Sequence, residues 1–176
     1  ALKWLREHDV PTFGICLGMQ CMVIEFARNV LGLADANSTE MDVHTPHNVI
    51  DLMDEQKSVT DKGGTMRLGA YDCRLVPGSR VAAAYGSEMV SERHRHRFEF
   101  NSDYRLRFED AGMKCVGENP ATRLVEVVEL PDHRWYIGTQ YHPEYSSTVL
   151  APNPIFLDFV KAAIEYKSEK SKEKTE

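Results

Sequence analysis

The sequence predicts an α/β domain: a mixed sheet flanked by helices, in which one strand turns sharply into a helix at a cysteine. Three observations carry that reading. The chain opens helix–strand–helix, the order of an α/β repeat. Its middle is rich in β-branched and aromatic segments bounded by Gly, Pro, Asp and Asn. An amphipathic helix with a cap signal closes it.

The opening helix places Leu2, Leu5 and the stem of Trp4 on one side, and Asp9-Val10-Pro11 ends it. Thr12-Phe13-Gly14-Ile15-Cys16 then reads as a buried parallel strand. A second helix follows from Gly18, with Met19, Met22, Val23, Phe26 and Val30 spaced three or four apart as one helix face requires. Strands are predicted at 49–52, 68–75, 80–85, 97–100, 124–130 and 135–141. Gly63-Gly64 and Pro77-Gly78 read as turns, and Asn119-Pro120-Ala121-Thr122 as a loop. In the closing helix Asn153 is the cap, Pro154 the first position, and Phe156, Phe159, Val160 and Ala163 the buried side. This gives a partial domain over 1–166, followed by a charged, disordered tail over 167–176. A lone parallel strand needs neighbours, and none precedes the opening helix, so the first strands of the sheet are expected to be missing.

Composition narrows the function. The chain has 176 residues, 42% hydrophobic and 27% charged, which is ordinary globular usage. With 21 Lys+Arg against 27 Asp+Glu the formal charge is −6, which repels phosphate backbones and disfavours nucleic acid. No apolar run is long enough for a membrane span, and the first residues do not suit a signal peptide. Four cysteines without a C-x-x-C pair argue against a disulfide framework and for a reducing, cytoplasmic setting.

Gly14-Ile15-Cys16-Leu17-Gly18 has the G-x-S-x-G form of a nucleophile elbow with Cys in place of Ser. Glycines beside the nucleophile let strand and helix approach. The thiol then stands at a helix N-terminus, where the dipole favours thiolate and the Leu17 amide faces a developing oxyanion. Tyr141-His142-Pro143-Glu144 supplies a base and its orienter: Pro143 holds His142 extended, and residues two apart in an extended chain share a side. The basic run Arg93-His94-Arg95-His96-Arg97 contains two histidines but no third ligand at metal-like spacing, and its arginines repel a cation, so no metal site is expected. His44-Thr45-Pro46-His47 reads as a loop.

The chain resembles the class I glutamine amidotransferase domain of the CTP synthase family, from its first residues to about Ile164. Four motifs carry the resemblance: Gly14 to Gln20, Ala36-Asn37-Ser38-Thr39-Glu40, Gly63 to Gly69, and Ser91 to Glu99. It implies a glutaminase in which Cys16 is the nucleophile, His142 the base and Glu144 its orienter, with glutamine contacts from Leu17, Gly18, Met19, Gln20, Glu40 and Arg97. A carboxylate and a guanidinium suit the ammonium and carboxylate of free glutamine. Ammonia released here would aminate UTP to CTP.

The resemblance further implies that this piece needs no cofactor. ATP and Mg would belong to a missing synthetase domain, GTP to a possible effector response involving Gly63 to Arg67, and the complete enzyme to a homo-oligomer, a tetramer. The loop giving the second oxyanion donor would precede residue 1, so the piece alone is expected to be inactive. Arg134 departs from the family's proline. Two alternatives stay open: another Cys-His-Glu thiol hydrolase of γ-glutamyl peptidase type, and a non-catalytic assembly module.

Overall fold

The computed structural model describes residues 1–52 and 66–173. The turn expected at Gly63-Gly64, with Thr65, lies outside the described residues. Helix α1 (Leu2–Glu7) leads to β1 (Thr12–Ile15), then α2 (Leu17–Asn29), β2 (Ala36–Ser38) and β3 (His47–Leu52). After the gap come β4 (Arg67–Leu75), α3 (Arg80–Tyr85), β5 (Met89–His96), β6 (Phe98–Phe100) and α4 (Arg105–Asp110). The chain finishes with β7 (Lys114–Glu118), β8 (Val125–Glu129), β9 (Tyr136–Thr139), a 3₁₀ turn (Pro143–Ser146) and α5 (Pro154–Glu173).

Six strands form a mixed sheet in the order β1-β9-β8-β7-β4-β5; β1 runs parallel to β9 and the other neighbours are antiparallel. A second sheet has the order β2-β3-β6. Successive residues of a strand face opposite sides, and the larger sheet uses both. Cys115, Val128 and Tyr136 pack with Met19, Met22, Val23 and Phe26 of α2. Val116, Val127 and Ile137 pack with Val81 of α3 and Ile155 and Ala162 of α5. Helices therefore cover both faces, and each fully buried large side chain contributes about 1.5–3 kcal/mol.

Two helices differ from the sequence reading, one of them in two respects. Residues 80–85 form a helix, not a strand. Ser79 Oγ accepts from the Ala82 amide at its start, Gly86 ends it with φ +64, and three alanines favour the helix between. In α5 the buried residues are Ile155 and Ala162, whereas Val160 is half exposed. That helix also runs past Tyr166 to Glu173, where a disordered tail is expected. Arg134 holds the extension: its guanidinium pairs with Glu169 at 2.6 Å and lies over the Tyr166 ring. Strands β2, β5 and β7 and helix α4 go beyond the predicted elements. His47 begins β3 rather than ending a loop, while residues 119–122 form a turn, as expected, closed on the Asn119 side chain.

Candidate active site

Cys16 stands between β1 and α2 with φ +51 and ψ −105. A non-glycine residue rarely holds such a conformation, which costs about 1–3 kcal/mol and persists only where surroundings over-determine it. The surroundings here are close. The Cys16 amide donates to Thr139 O at 2.7 Å, pinning the elbow to the strand beside it. A Cβ on Gly14 would stand 2.3 Å from Met22 Sδ and 2.7 Å from the Gly18 carbonyl carbon. A Cβ on Gly18 would meet nothing within 4 Å. The two glycines thus serve different ends. Gly14 allows the strand–helix approach, and Gly18 faces open space in the first turn of α2.

The Cys16 side chain does not cap α2, and the first-turn amides of a helix have no intrahelical partner. Despite that helix end, the Cys16 thiol is pushed above its ordinary range. Burial is the main cause, and the charges of Glu144 and Glu99 add to it; the Leu17 amide and Gln140 act the other way. The expected bias toward thiolate is outweighed, and a base is needed.

Glu144 Oε1 lies 2.6 Å from His142 Nδ1. A carboxylate can only accept, so Nδ1 carries the proton and Nε2 is the basic nitrogen. Nε2 is buried and makes no hydrogen bond among the described residues. The pairing expected from sequence is present, but not through an extended segment: Glu144 sits in the 3₁₀ turn that Pro143 begins. The turn is anchored from β5, whose Arg93 carbonyl accepts from the His142 amide at 2.8 Å. Glu92, buried beside it, accepts from Ser146 Oγ (2.7 Å), Asn153 Nδ2 (2.6 Å) and Tyr85 OH (3.0 Å).

In the sequence Glu92 stands out only as part of the Ser91 to Glu99 motif, next to the basic run. Period-two alternation separates this part of β5 into two faces: Glu92, His94 and His96 are buried, while Ser91, Arg93 and Arg95 are exposed. The inward histidines meet Glu126 of β8, and one ligand atom from each lies within 4.8 Å of the others. The third potential ligand that linear spacing hides is therefore supplied from thirty residues away. The three already have partners, however. His94 Nδ1 and His96 Nε2 are hydrogen-bonded at 2.8 Å, His96 Nδ1 reaches Phe98 O, and Glu126 is held by Arg67 at 2.8 Å, which also holds Glu99 at 3.0 Å. Burial, followed by the Arg67 charge, lowers His94 to about 2 and His96 to about 3.

The residues expected to contact glutamine are distributed unevenly. Leu17 is half exposed beside the thiol. Met19 is fully buried in the core, so only its backbone can face the site. Gln20 is buried too, and its amide nitrogen donates to Phe98 O at 2.9 Å and Gln140 Oε1 at 3.2 Å. Glu40 is exposed in the turn after β2, and Arg97 is half-buried at the bend between β5 and β6. Ser38 pairs with Ile50 and Phe98 with Leu52, which brings Glu40 and Arg97 to the same end of the small sheet.

Residues 1–162 match the family model for glutamine amidotransferase class-I. CTP synthases of Bacteroides fragilis and Porphyromonas gingivalis are each 68% identical over 165 residues, covering 94% of this chain and 31% of theirs. The chain thus spans about a third of the length of these relatives. Among solved structures, the glutaminase domain of Trypanosoma brucei CTPS with bound acivicin has a TM-score of 0.87 at 39% identity, over 93% of this chain and 64% of that one. Among the described residues no helix is long and apolar enough to cross a membrane.

Proposed function

The chain belongs to the class I glutamine amidotransferase family, and on that premise we propose that it is the glutamine-hydrolysing part of a CTP synthase. The observations that carry this are the strained Cys16 elbow at the start of α2 and, among the described residues, a buried His142 Nε2 without a hydrogen bond in a ring oriented by Glu144.

In this reading His142 Nε2 takes the Cys16 thiol proton, and the sulfur attacks the side-chain amide carbon of glutamine. The oxyanion accepts from the Leu17 amide. As the tetrahedral centre collapses the C–N bond breaks, His142 returns its proton to the leaving nitrogen, and ammonia departs. Water, deprotonated by His142, then attacks the thioester; glutamate leaves and the proton returns to sulfur. Glu144 fixes the tautomer and stabilises the imidazolium. Glu40 takes the substrate ammonium and Arg97 its carboxylate, while Leu17, Gly18, Met19 and Gln20 shape the floor. The remainder of the protein uses ATP and Mg to activate UTP, receives the ammonia, responds to GTP and assembles as a cytoplasmic tetramer.

The test is CTP formation by the intact protein with either glutamine or ammonia as nitrogen donor. Both should work, and Cys16→Ala should remove the first alone. Loss of neither would overturn the reading.

A further inference from the structure

We propose that Gln140 is a further catalytic residue of this site: its side-chain amide is a fixed donor to Cys16 Sγ and holds the sulfur as a thiolate during attack. The proposal rests on Cys16 as the nucleophile.

The orientation of the amide follows from a chain of partners. Phe98 O is a carbonyl and can only accept, so the Gln20 atom 2.9 Å from it is the nitrogen. That nitrogen also lies 3.2 Å from Gln140, so the Gln140 atom facing it must be the oxygen. The Gln140 nitrogen is thereby turned to Cys16 Sγ, at 3.6 Å. Flipping Gln140 would set two NH₂ groups against each other where water has no access, since Gln20 is 3% exposed and Gln140 fully buried. The backbone is fixed as well: the Gln140 amide donates to Glu126 O at 2.8 Å, and the preceding Thr139 accepts from Cys16.

A neutral thiol is a weak acceptor and a thiolate a strong one, so an immovable N–H donor favours the ionised form. The thiol form has its own partner, Arg95 O, 4.0 Å from Sγ. When the proton passes to His142, the sulfur no longer donates to Arg95 O, and Gln140 and the Leu17 amide are the donors that face it. They oppose the burial and the nearby carboxylate charges that disfavour the thiolate.

The experiment measures Cys16 alkylation by iodoacetamide across pH in the intact protein, by peptide mass, for wild type, Gln140→Met and Gln140→Glu. Gln140→Met removes the donor at similar volume. Gln140→Glu keeps an acceptor for Gln20 but places a carboxylate oxygen at the sulfur, and answers the same question should the first variant not fold. Alkylation at neutral pH should slow by about tenfold or more, with its midpoint raised by about one pH unit. The larger effect should come from Gln140→Glu. Glutamine kcat should fall in parallel with little change in KM. A merely structural role would loosen the site and speed alkylation. Profiles superimposable on wild type, or faster alkylation, would overturn the proposal. Absence of glutamine hydrolysis in wild type, with the alkylation shift intact, would instead overturn the functional reading.

Discussion

His142 Nδ1 and Glu144 Oε1 lie 2.6 Å apart at the start of one 3₁₀ turn, which His142 precedes, and this pairing leaves the other ring nitrogen as the base. His142→Ala should lower glutamine-dependent kcat by about 10²–10⁴-fold, the usual contribution of a positioned acid–base group. Glu144→Gln should cost less, because the Glu144 side chain is 42% exposed and its charge is screened. Ammonia-dependent synthesis, measured in parallel, should be unchanged in both.

Glu92 ties the triad turn to β5 through three donors. Glu92→Ala leaves Tyr85 OH, Ser146 Oγ and Asn153 Nδ2 without this acceptor, and should lower stability by about 2–4 kcal/mol. Denaturant titration checks the stability, and steady-state kinetics should show glutamine kcat falling more than KM changes.

The two elbow glycines should separate cleanly. Gly14→Ala meets Met22 Sδ and the Gly18 backbone, so it should destabilise the fold by about 1–3 kcal/mol and slow Cys16 alkylation. Gly18→Ala meets nothing within 4 Å. Its melting temperature should match wild type while its KM for glutamine rises.

The buried cluster should make stability peak near neutral pH. His94 and His96, lowered to about 2 and about 3 by burial, bind no proton where the unfolded chain does. Their contribution is present above about 6.5 and is lost as pH falls. Glu99 and Glu126 share one guanidinium, and burial holds a proton on the pair; Glu99 is pushed up to about 8. That contribution is present below the ordinary carboxylate range and is lost as pH rises toward 8. At about pH 6.5 the two half-protonated histidines of the unfolded chain balance the one retained carboxylate proton, so stability peaks there; the net loss reaches about 1 kcal/mol per pH unit near pH 5.5 and somewhat less than that between about pH 7 and 8. Denaturant titration across pH checks both limbs, and Glu99→Gln should flatten the alkaline one.

How much of this was legible in the sequence depended on the range of the contact. The elbow was readable because its glycines adjoin the cysteine, and the His142–Glu144 pair because its members are two residues apart. Helix α3 was misread although Ser79 and Gly86 bracket it, since Val81 and Tyr85 also suit a strand. Gln140 stood inside a predicted strand, and nothing local marks a glutamine whose partners lie 120 and 124 residues away. Shorter separations, still far beyond one element, hid Glu126 from His94, and Ser146 from Glu92. The thiol's raised affinity for its proton was equally invisible, because the helix end is a local feature and burial is not.

The central claim is that Cys16 is the one activated thiol and that it attacks glutamine. The most direct measurement is peptide mapping of the intact protein after reaction with an electrophilic glutamine analogue. The account predicts label on Cys16 alone, suppressed by excess glutamine and abolished by His142→Ala, with Cys21, Cys73 and Cys115 unmodified. Cys73 and Cys115 are buried and held strongly protonated by that burial. Label spread over all four thiols, or Cys16 labelling indifferent to glutamine, would contradict it.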